Sequence, residues 1–149
     1  MKIEVRGGLT PLLQVFHMPT SLRFYRNTLG FNVAASSPAL SSDADDVGWV
    51  MLELNDAVLM LNTAYDPEDT PDAPDHARWS GHQDTGLYIG CPDVDGAYAF
   101  LRAKGVEVTE PNVTGYGMKQ IYLKDPDGFG ICFQWRADRP VAQPGDRDA

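Results

Sequence analysis

The sequence predicts an α+β fold built from two tandem βαβββ modules that form a curved mixed sheet, and three observations lead to this prediction. Residues 22–33 (LRFYRNTLGFNV) are matched 75 positions later by residues 97–108 (AYAFLRAKGVEV), with their glycines in register. Each segment is followed by two strand-like runs around a turn, first at residues 55–56 and then at residues 125–128. Two chance amphipathic helices would not also align two hairpins, so we infer an internal duplication.

The first module begins with an uncharged apolar run at residues 9–16 (LTPLLQVF), which is typical of a strand. A helix is predicted next, because Leu22, Tyr25 and Leu29 fall on one helical face. Gly30 follows at the position where a glycine commonly ends a helix. Further strands of this module are predicted at residues 31–33, 47–54 and 57–62.

The second module repeats this plan. Its helix is predicted to open at Pro92, with Asp93 and Asp95 in the first turn, where acidic groups favour the helix dipole. Gly105 would end that helix. The strands of this module are predicted at residues 85–90, 106–108, 117–124 and 129–135.

The segment between the modules is acidic and rich in proline. Residues 63–84 contain three prolines and six acidic residues and show no hydrophobic periodicity, so we predict no regular structure there. Loops of more than about 12–15 residues are usually functional or disordered. The predicted organisation is one domain, residues 1–135, with modules at about 8–62 and 84–135, a linking loop at 63–83 and a disordered tail at 136–149.

Composition excludes several classes of function. Twenty-one acidic residues against twelve basic ones give a formal charge of −9, which disfavours binding to nucleic acid and to anionic membrane surfaces. The chain has no apolar run near the ~20 residues that a transmembrane helix needs. Its first residues lack the apolar core of a signal peptide, so we expect a cytoplasmic protein. Two cysteines, Cys91 and Cys132, are too few for a disulfide framework.

Three motifs resemble a known superfamily. They are SLRFY with LGF at residues 21–31, DVD with KGV at residues 93–106, and YGM leading into DPDG at residues 116–128. In this order and spacing they resemble the vicinal oxygen chelate superfamily, which includes glyoxalase I, extradiol dioxygenases and bleomycin-resistance proteins. The resemblance implies two βαβββ modules whose curved sheets enclose a cavity, and it implies a homodimer.

The resemblance also implies where a metal would be held. In metal-dependent members four ligands, usually His and Glu, come from the first and last strand of each module. The matching positions of this chain are Thr10, Met60, Leu87 and Cys132. This set fits neither a hard divalent cation nor a catalytic zinc ion, and a register shift of two residues gives no better set. We therefore expect no metal and no other cofactor, and the chain is most similar to the metal-free bleomycin-resistance-like members.

Strand alternation predicts the side chains that line a small-molecule site. The set is mostly apolar and aromatic with a few polar groups, which is the usual composition of a ligand pocket. Its members are Thr10, Leu12, Gln14, Trp49, Met51, Met60, Gln120, Tyr122, Cys132 and Gln134. The resemblance adds Leu87 as an inward-facing position. Nothing in the sequence places a base beside Cys132, so we interpret it as a buried structural thiol.

Three functional hypotheses follow. The first is a small-molecule-binding protein without catalytic residues, which sequesters a drug or metabolite. The second is a metal-dependent lyase or dioxygenase of the glyoxalase type, which would need non-standard ligands such as Glu53, His82 or Gln134. His82 is more simply a solvated loop residue, and His17 a capping residue. The third is a regulatory or scaffold module with a closed interior and no ligand.

Overall fold

The computed structural model describes residues 1–138 and divides into two compact units, with the boundary between Asp72 and Ala73. This boundary lies inside the predicted linking loop. Each unit contains one four-stranded sheet with helical segments, so the predicted α+β fold with two tandem modules is confirmed. The predicted tail begins too early, because Arg136 belongs to the last strand, and residues 139–149 lie outside the described residues.

The first unit follows the predicted βαβββ order. Its sheet has the order β1-β4-β3-β2, in which β1 runs parallel to β4 and the other pairs are antiparallel. A five-residue helix after β1 continues directly into a π-helical turn. The elements are β1 Leu12–Val15, α1 Met18–Leu22, the π-helical turn Arg23–Thr28, β2 Asn32–Ser36, β3 Trp49–Leu54 and β4 Ala57–Thr63.

The first strand is shorter at both ends than the predicted residues 9–16. Leu9 is exposed, and sheet pairing starts where the backbone N–H of Met60 donates to the carbonyl of Pro11, at 2.9 Å. The helix then begins at Met18, because the His17 side chain accepts a hydrogen bond from the Thr20 backbone N–H. His17 therefore has the capping role that the sequence indicated.

The core of the first unit lies on one side of its sheet. Alternate strand residues are buried there and pack with the helical segment, which is the expected arrangement for a sheet with one covered face. The buried side chains include Leu13, Val15, Met18, Leu22, Tyr25, Phe31, Val50, Leu52, Leu59 and Leu61.

The second unit repeats the topology strand for strand, with the order β5-β8-β7-β6. Its long helix starts at an aspartate cap, since Asp93 Oδ1 accepts from the backbone N–H of Gly96 at 2.9 Å. The elements are α2 His76–Gly81, β5 Gly86–Gly90, α3 Val94–Ala103, β6 Asn112–Val113, β7 Met118–Lys124 and β8 Gly130–Arg136.

The strand predicted at residues 106–108 is wrong. The backbone N–H of Val106 bonds back to the carbonyl of Leu101 and closes the end of α3, and Val108 is buried. The segment is thus held by the helix end and by the core, and the edge position in the sheet belongs to β6 instead. Extended apolar residues alone could not distinguish these two arrangements.

The prediction of no regular structure at residues 63–84 is also wrong. The segment contains the helix α2 and short 3₁₀ turns at Pro67–Asp69 and His82–Asp84. Asp75 caps α2 by accepting from the Ala77 backbone N–H at 2.9 Å. Among the described residues, no helix is both long and apolar enough to cross a lipid bilayer.

The turn at residues 125–128 holds this helical segment in place. The Trp79 indole N–H donates to the carbonyl of Pro126 at 3.2 Å, and His82 Nδ1 donates to the carbonyl of Asp127 at 2.7 Å. The His82 ring also stacks on Phe129, with centroids 4.0 Å apart. His82 is therefore a packed residue, and its interpretation as a solvated loop histidine is corrected.

Candidate ligand-binding site

The first unit brings five of its six predicted site residues to one face of its sheet. Leu12 pairs with Met60, and Met60 pairs with Met51, so these three side chains share the face opposite the core. Gln14 and Trp49 lie on the same face, because both are in register with Asn62. We call Leu12, Gln14, Trp49, Met51 and Met60 the methionine face. Thr10 precedes β1 and lies outside the sheet.

The methionine face is apolar and adaptable. Leu12 is exposed, and Trp49, Met51 and Met60 are half-buried. Methionine side chains have three rotatable bonds and a polarisable sulfur, so they fit ligands of different shapes. Glu53, which lies two residues from Met51 on the same strand face, is exposed and is the carboxylate nearest to this set along β3.

The second unit brings four predicted residues together and displaces a fifth. Gln120 pairs with Gln134, and Tyr122 pairs with Cys132, so all four share one face. Leu87 pairs with Ile131, which points to the core side, while its neighbour Tyr88 pairs with Cys132. The structure therefore places Leu87 on the opposite face and puts Tyr88 in its place.

A hydrogen-bond network joins the polar side chains of this face. The Gln120 amide donates to Gln134 Oε1 at 2.9 Å and to the Tyr116 hydroxyl at 3.1 Å. The Tyr122 hydroxyl donates to Gln120 Oε1 at 2.8 Å and lies 3.3 Å from the Tyr88 hydroxyl. We call Tyr88, Tyr116, Gln120, Tyr122 and Gln134 the tyrosine–glutamine face.

Two members of this face, Tyr88 and Tyr116, were not predicted from the sequence. Tyr88 was detectable, because Leu87 and Ile89 form an apolar pair that alternation assigns to the core, which leaves Tyr88 on the other side. Tyr116 had no such signal, since it lies in the turn before β7, where strand alternation does not apply. Its role depends on a contact four residues along the chain, with Gln120.

The face carries no charge at neutral pH. None of its five side chains is a carboxylate, an amine or a guanidinium. The hydrogen bond with Tyr88 and partial desolvation raise the pKa of Tyr122 well above its usual value, with a further contribution from Cys132. Tyr122 therefore stays protonated and keeps its O–H available for the network.

Cys132 lies beneath the two tyrosines. It pairs in register with both Tyr88 and Tyr122 and is only 1% exposed. Burial raises the pKa of its thiol, which outweighs the opposite effect of a hydrogen bond with Tyr122. A thiol with a raised pKa is a poor nucleophile at neutral pH, so the geometry agrees with a structural role.

We expect Cys132 to resist alkylation in the folded protein. A Cys91→Ser variant leaves Cys132 as the single thiol, and iodoacetamide should modify it far more slowly in buffer than in denaturant. Because the folded pKa is raised, the rate should keep rising above pH ~8.5, where a free cysteine begins to level off. Mass spectrometry over a pH series measures both effects. Equal rates in the folded and unfolded protein would contradict the buried placement.

Comparison with known proteins decides the family. The model of the Glyoxalase/Bleomycin resistance protein/Dioxygenase superfamily matches residues 9–133. The chain belongs to this superfamily. No curated protein sequence matches it.

Solved structures share the superfamily fold. TnmS3, an antibiotic binding protein from Streptomyces sp. CB03234, is 24% identical and has a TM-score of 0.64, with 91% of this chain and 98% of that chain covered. A glyoxalase/bleomycin resistance protein from the same source is 25% identical, with a TM-score of 0.58 and coverages of 85% and 100%. A bleomycin-binding protein complexed with bleomycin is 17% identical, with a TM-score of 0.60 and coverages of 87% and 98%.

The residues at the superfamily's metal positions do not fit a divalent ion. Met60 is paired with Leu12, and Cys132 is paired with Tyr88, so each pair offers at most one soft sulfur donor and no histidine or carboxylate. Residues 1–138 contain no group of three or more His, Cys, Asp or Glu side chains that could hold a metal ion.

The three side chains suggested as non-standard metal ligands either form hydrogen bonds within the protein or are exposed. Gln134 Oε1 accepts from Gln120, and His82 Nδ1 donates to the carbonyl of Asp127. Glu53 is exposed on β3. Each has a local role or environment that requires no metal, so the structure gives no support to non-standard ligation by these three residues.

A small cavity lies at the start of α3, away from the tyrosine–glutamine face. Its volume is about 80 Å³, and its lining includes Pro92, Val94, Lys119 and Trp135. Typical ligand pockets measure ~300–1,000 Å³. This cavity has room for a few water molecules and is too small for a drug-sized compound.

Proposed function

We propose that this protein binds a small organic molecule on the tyrosine–glutamine face and does not transform it. The main support for the proposal is that the tyrosines of this face are exposed and are also held in position by hydrogen bonds. Tyr88 and Tyr122 remain 56% and 40% exposed, yet their hydroxyls belong to one continuous hydrogen-bond network. Aromatic surface that is both exposed and held in position is ready to receive a ligand at low entropic cost.

The chemistry of the face supports binding over catalysis. Its side chains are phenols and amides, which orient a ligand by hydrogen bonds and offer no general base or strong nucleophile at neutral pH. The thiol beneath them is buried and its pKa is raised. The two antibiotic-binding relatives that share the fold bind small molecules, according to their names, which is consistent with the same role here.

Contact between the ligand and the five residues of the methionine face remains a prediction. Four of the five side chains are apolar, and all but Leu12 are half-buried, which is the character expected of such a surface.

Binding should depend on the exposed tyrosines. We expect a compound that binds the wild-type protein to bind a Tyr88→Ala variant on the order of tenfold or more weakly, as truncation of an aromatic anchor commonly does. Isothermal titration with bleomycin and with a panel of neutral and cationic aromatic compounds measures the affinities. Phe100→Ala is the matched control, because Phe100 is a similarly exposed ring on α3. Equal losses in both variants, or no binding by any compound, would contradict the proposal.

We also propose that the protein forms a homodimer through the arm at residues 1–6. In this arm Met1, Ile3 and Val5 alternate with charged residues, as in an amphipathic strand, and all three are exposed. No strand within residues 1–138 pairs with the arm. The edge strand β2 is exposed along its whole length and contains neither lysine nor proline, so a strand from a second copy can add to it.

The role of the arm in dimer formation can be tested by substituting its apolar face and its charged face separately. An Ile3→Glu/Val5→Glu variant should shift the protein from dimer to monomer in size-exclusion chromatography with light scattering. A Lys2→Ser/Arg6→Ser variant changes the other face of the arm and should leave the dimer intact. Dimers that survive the first variant would overturn the role of the arm, and a monomeric wild-type protein would overturn the dimer itself.

A further inference from the structure

An exposed lysine and two glycines lie beside the tyrosine–glutamine face, on the same side of the sheet. Lys124 pairs with Gly130, and Gly130 pairs with Gly86, two residues along the strands from the row that contains Cys132. We call Lys124, Gly130 and Gly86 the glycine–lysine row. Building on the proposed binding function, we infer that this row is a second part of the site, which holds an anionic group of the ligand, such as a carboxylate, over Gly130 and against the Lys124 ammonium.

The backbone at Gly130 does not require a glycine. Its φ lies outside the left-handed region, and an added Cβ would meet only backbone atoms, 3.6 Å from the oxygen of Thr85 and 3.9 Å from the Cα of Gly86. These are ordinary contact distances, so a side chain would fit. A glycine within a paired strand weakens it and often marks a place where a ligand approaches closely. The space above Gly130 is therefore open to ligand atoms.

Two side chains border this open space. An added Cβ at Gly86 would lie 3.3 Å from Cε2 of Tyr88, so the exposed Tyr88 ring leans over that glycine on one side of Gly130. Lys124 lies on the other side, as the antiparallel partner of Gly130, where facing side chains are close neighbours. A group bound above Gly130 would thus lie between an aromatic ring and a lysine.

The Lys124 ammonium is held in position. It lies over the Trp79 ring, 5.2 Å from the centroid, and the Trp79 indole N–H donates to the carbonyl of Pro126 at 3.2 Å. A cation–π contact orients an ammonium without neutralising its charge. Lys124 is exposed, so this charge remains accessible to a ligand.

The second sheet is locally basic, although the chain as a whole is acidic. Its strands contain Lys119, Lys124 and Arg136 and no acidic residue. Lys119 pairs with Asp95, and Arg136 lies 3.9 Å from Asp138, whereas no ion pair within residues 1–138 involves Lys124. The formal charge of −9 affects the encounter with an anion more than its bound state, and salt screens it beyond about 8 Å.

The acidic residue that follows Lys124 is occupied by the turn. Asp125 is 4% exposed, and its Oδ1 accepts from the backbone N–H groups of Asp127 and Phe129, at 2.8 and 2.9 Å. Its carboxylate therefore stabilises the turn and leaves the Lys124 charge to an external anion.

Three naphthalene probes of similar shape and different charge test the inference by isothermal titration at neutral pH. They are 2-naphthoate (an anion), 2-naphthamide (neutral) and 2-naphthamidine (a cation). The naphthoate should bind about three- to tenfold more tightly than the amide, as expected for one charge-assisted contact at a partly exposed site. The amidinium should bind most weakly, because the Lys124 ammonium repels it. Amidinium binding as tight as that of naphthoate, through attraction to the tyrosine rings, would overturn the inference.

Two lysine variants assign the preference to its residue. Lys124→Met removes the charge and keeps an unbranched side chain, so the ratio between the naphthoate and amide affinities should fall to about one. Lys119→Met changes the net charge equally, on the opposite face of β7, and should leave the ratio unchanged. An equal fall in both variants would assign the preference to net charge and contradict the inference.

A glycine variant tests the open space. Gly130→Ala should keep the wild-type circular dichroism spectrum and bind naphthoate at least about threefold more weakly, because the added methyl group occupies the place of the anion. Gly48→Ala, whose added Cβ makes a similarly ordinary contact at 3.8 Å in the first unit, should bind as the wild type does.

The outcomes separate this inference from the proposed function. Equal binding of the three probes, or unchanged naphthoate binding by Gly130→Ala, would overturn the inference and leave the proposed function standing. Failure of all three probes to bind would also overturn the inference, and it would overturn the proposed function as well if the bleomycin and aromatic panel gave no binding.

Discussion

Replacement of Gly128 by alanine should destabilise the protein by about 3 kcal/mol, through two effects that act together. Gly128 has a φ of +84°, which is strained for a residue with a Cβ. An added Cβ would also lie 2.7 Å from the backbone oxygen of Trp79 and 2.8 Å from two atoms of its ring. The turn and the Trp79 segment cannot both keep their positions, so the hydrogen bond from Trp79 to Pro126 should be lost as well.

Two other glycines separate these effects. Gly105 has a φ of +76° but open space around the added Cβ, so Gly105→Ala should cost only about 1 kcal/mol of backbone strain. Gly115 has neither constraint, and Gly115→Ala should stay within about 0.5 kcal/mol of the wild type. Urea unfolding followed by far-ultraviolet circular dichroism measures all three. A Gly128→Ala loss no larger than that of Gly105→Ala would show that Trp79 does not pack on the turn.

Truncation of Tyr25 should have a comparably large effect in the first unit, about 3–5 kcal/mol, which is typical for removing a buried aromatic side chain. Tyr25 is 1% exposed and meets both Phe24 and Phe31 edge to face, at centroid distances of 5.0 and 5.9 Å. Alanine would leave a cavity beside Phe31, and the partner rings would lose their contacts.

The neighbouring ring provides the comparison for Tyr25. Phe24 belongs to the same aromatic cluster but is only half-buried, so Phe24→Ala should cost about 1–2 kcal/mol. The difference between the two variants, measured by the same urea titration, reports how much of the cluster's stability depends on burial. A cost for Tyr25→Ala as low as the one expected for Phe24→Ala would place Tyr25 at the surface and contradict the packing of the first unit.

Local sequence patterns were sufficient for most of the fold. The duplicated segments, the two hairpin turns and the alternation within each strand predicted the βαβββ order and put Leu12, Met51 and Met60 on one sheet face. These features depend on neighbours in sequence, where periodicity and turn chemistry are informative. The duplication added a check, because each module had to agree with the other.

The parts that the sequence analysis missed depend on contacts between distant residues. Trp79 is ordered by a bond to Pro126, which is remote in sequence, so the helical segment of residues 75–84 looked structureless. Leu87 was assigned by counting from a motif, and the strand register shows that Tyr88 occupies that face. The hydrogen bond between Tyr116 and Gln120 requires a side-chain geometry that no strand pattern encodes.

The two sheets share one strand order but present different chemistry on the face opposite the core. The first carries methionine, leucine and tryptophan, and the second carries tyrosines and glutamines tied by hydrogen bonds. Once a gene segment has been duplicated, mutations in one copy no longer have to suit the other. Selection can therefore tune the polar half toward a new compound without disturbing the apolar half, so such a lineage can change its specificity by substitutions in one repeat at a time.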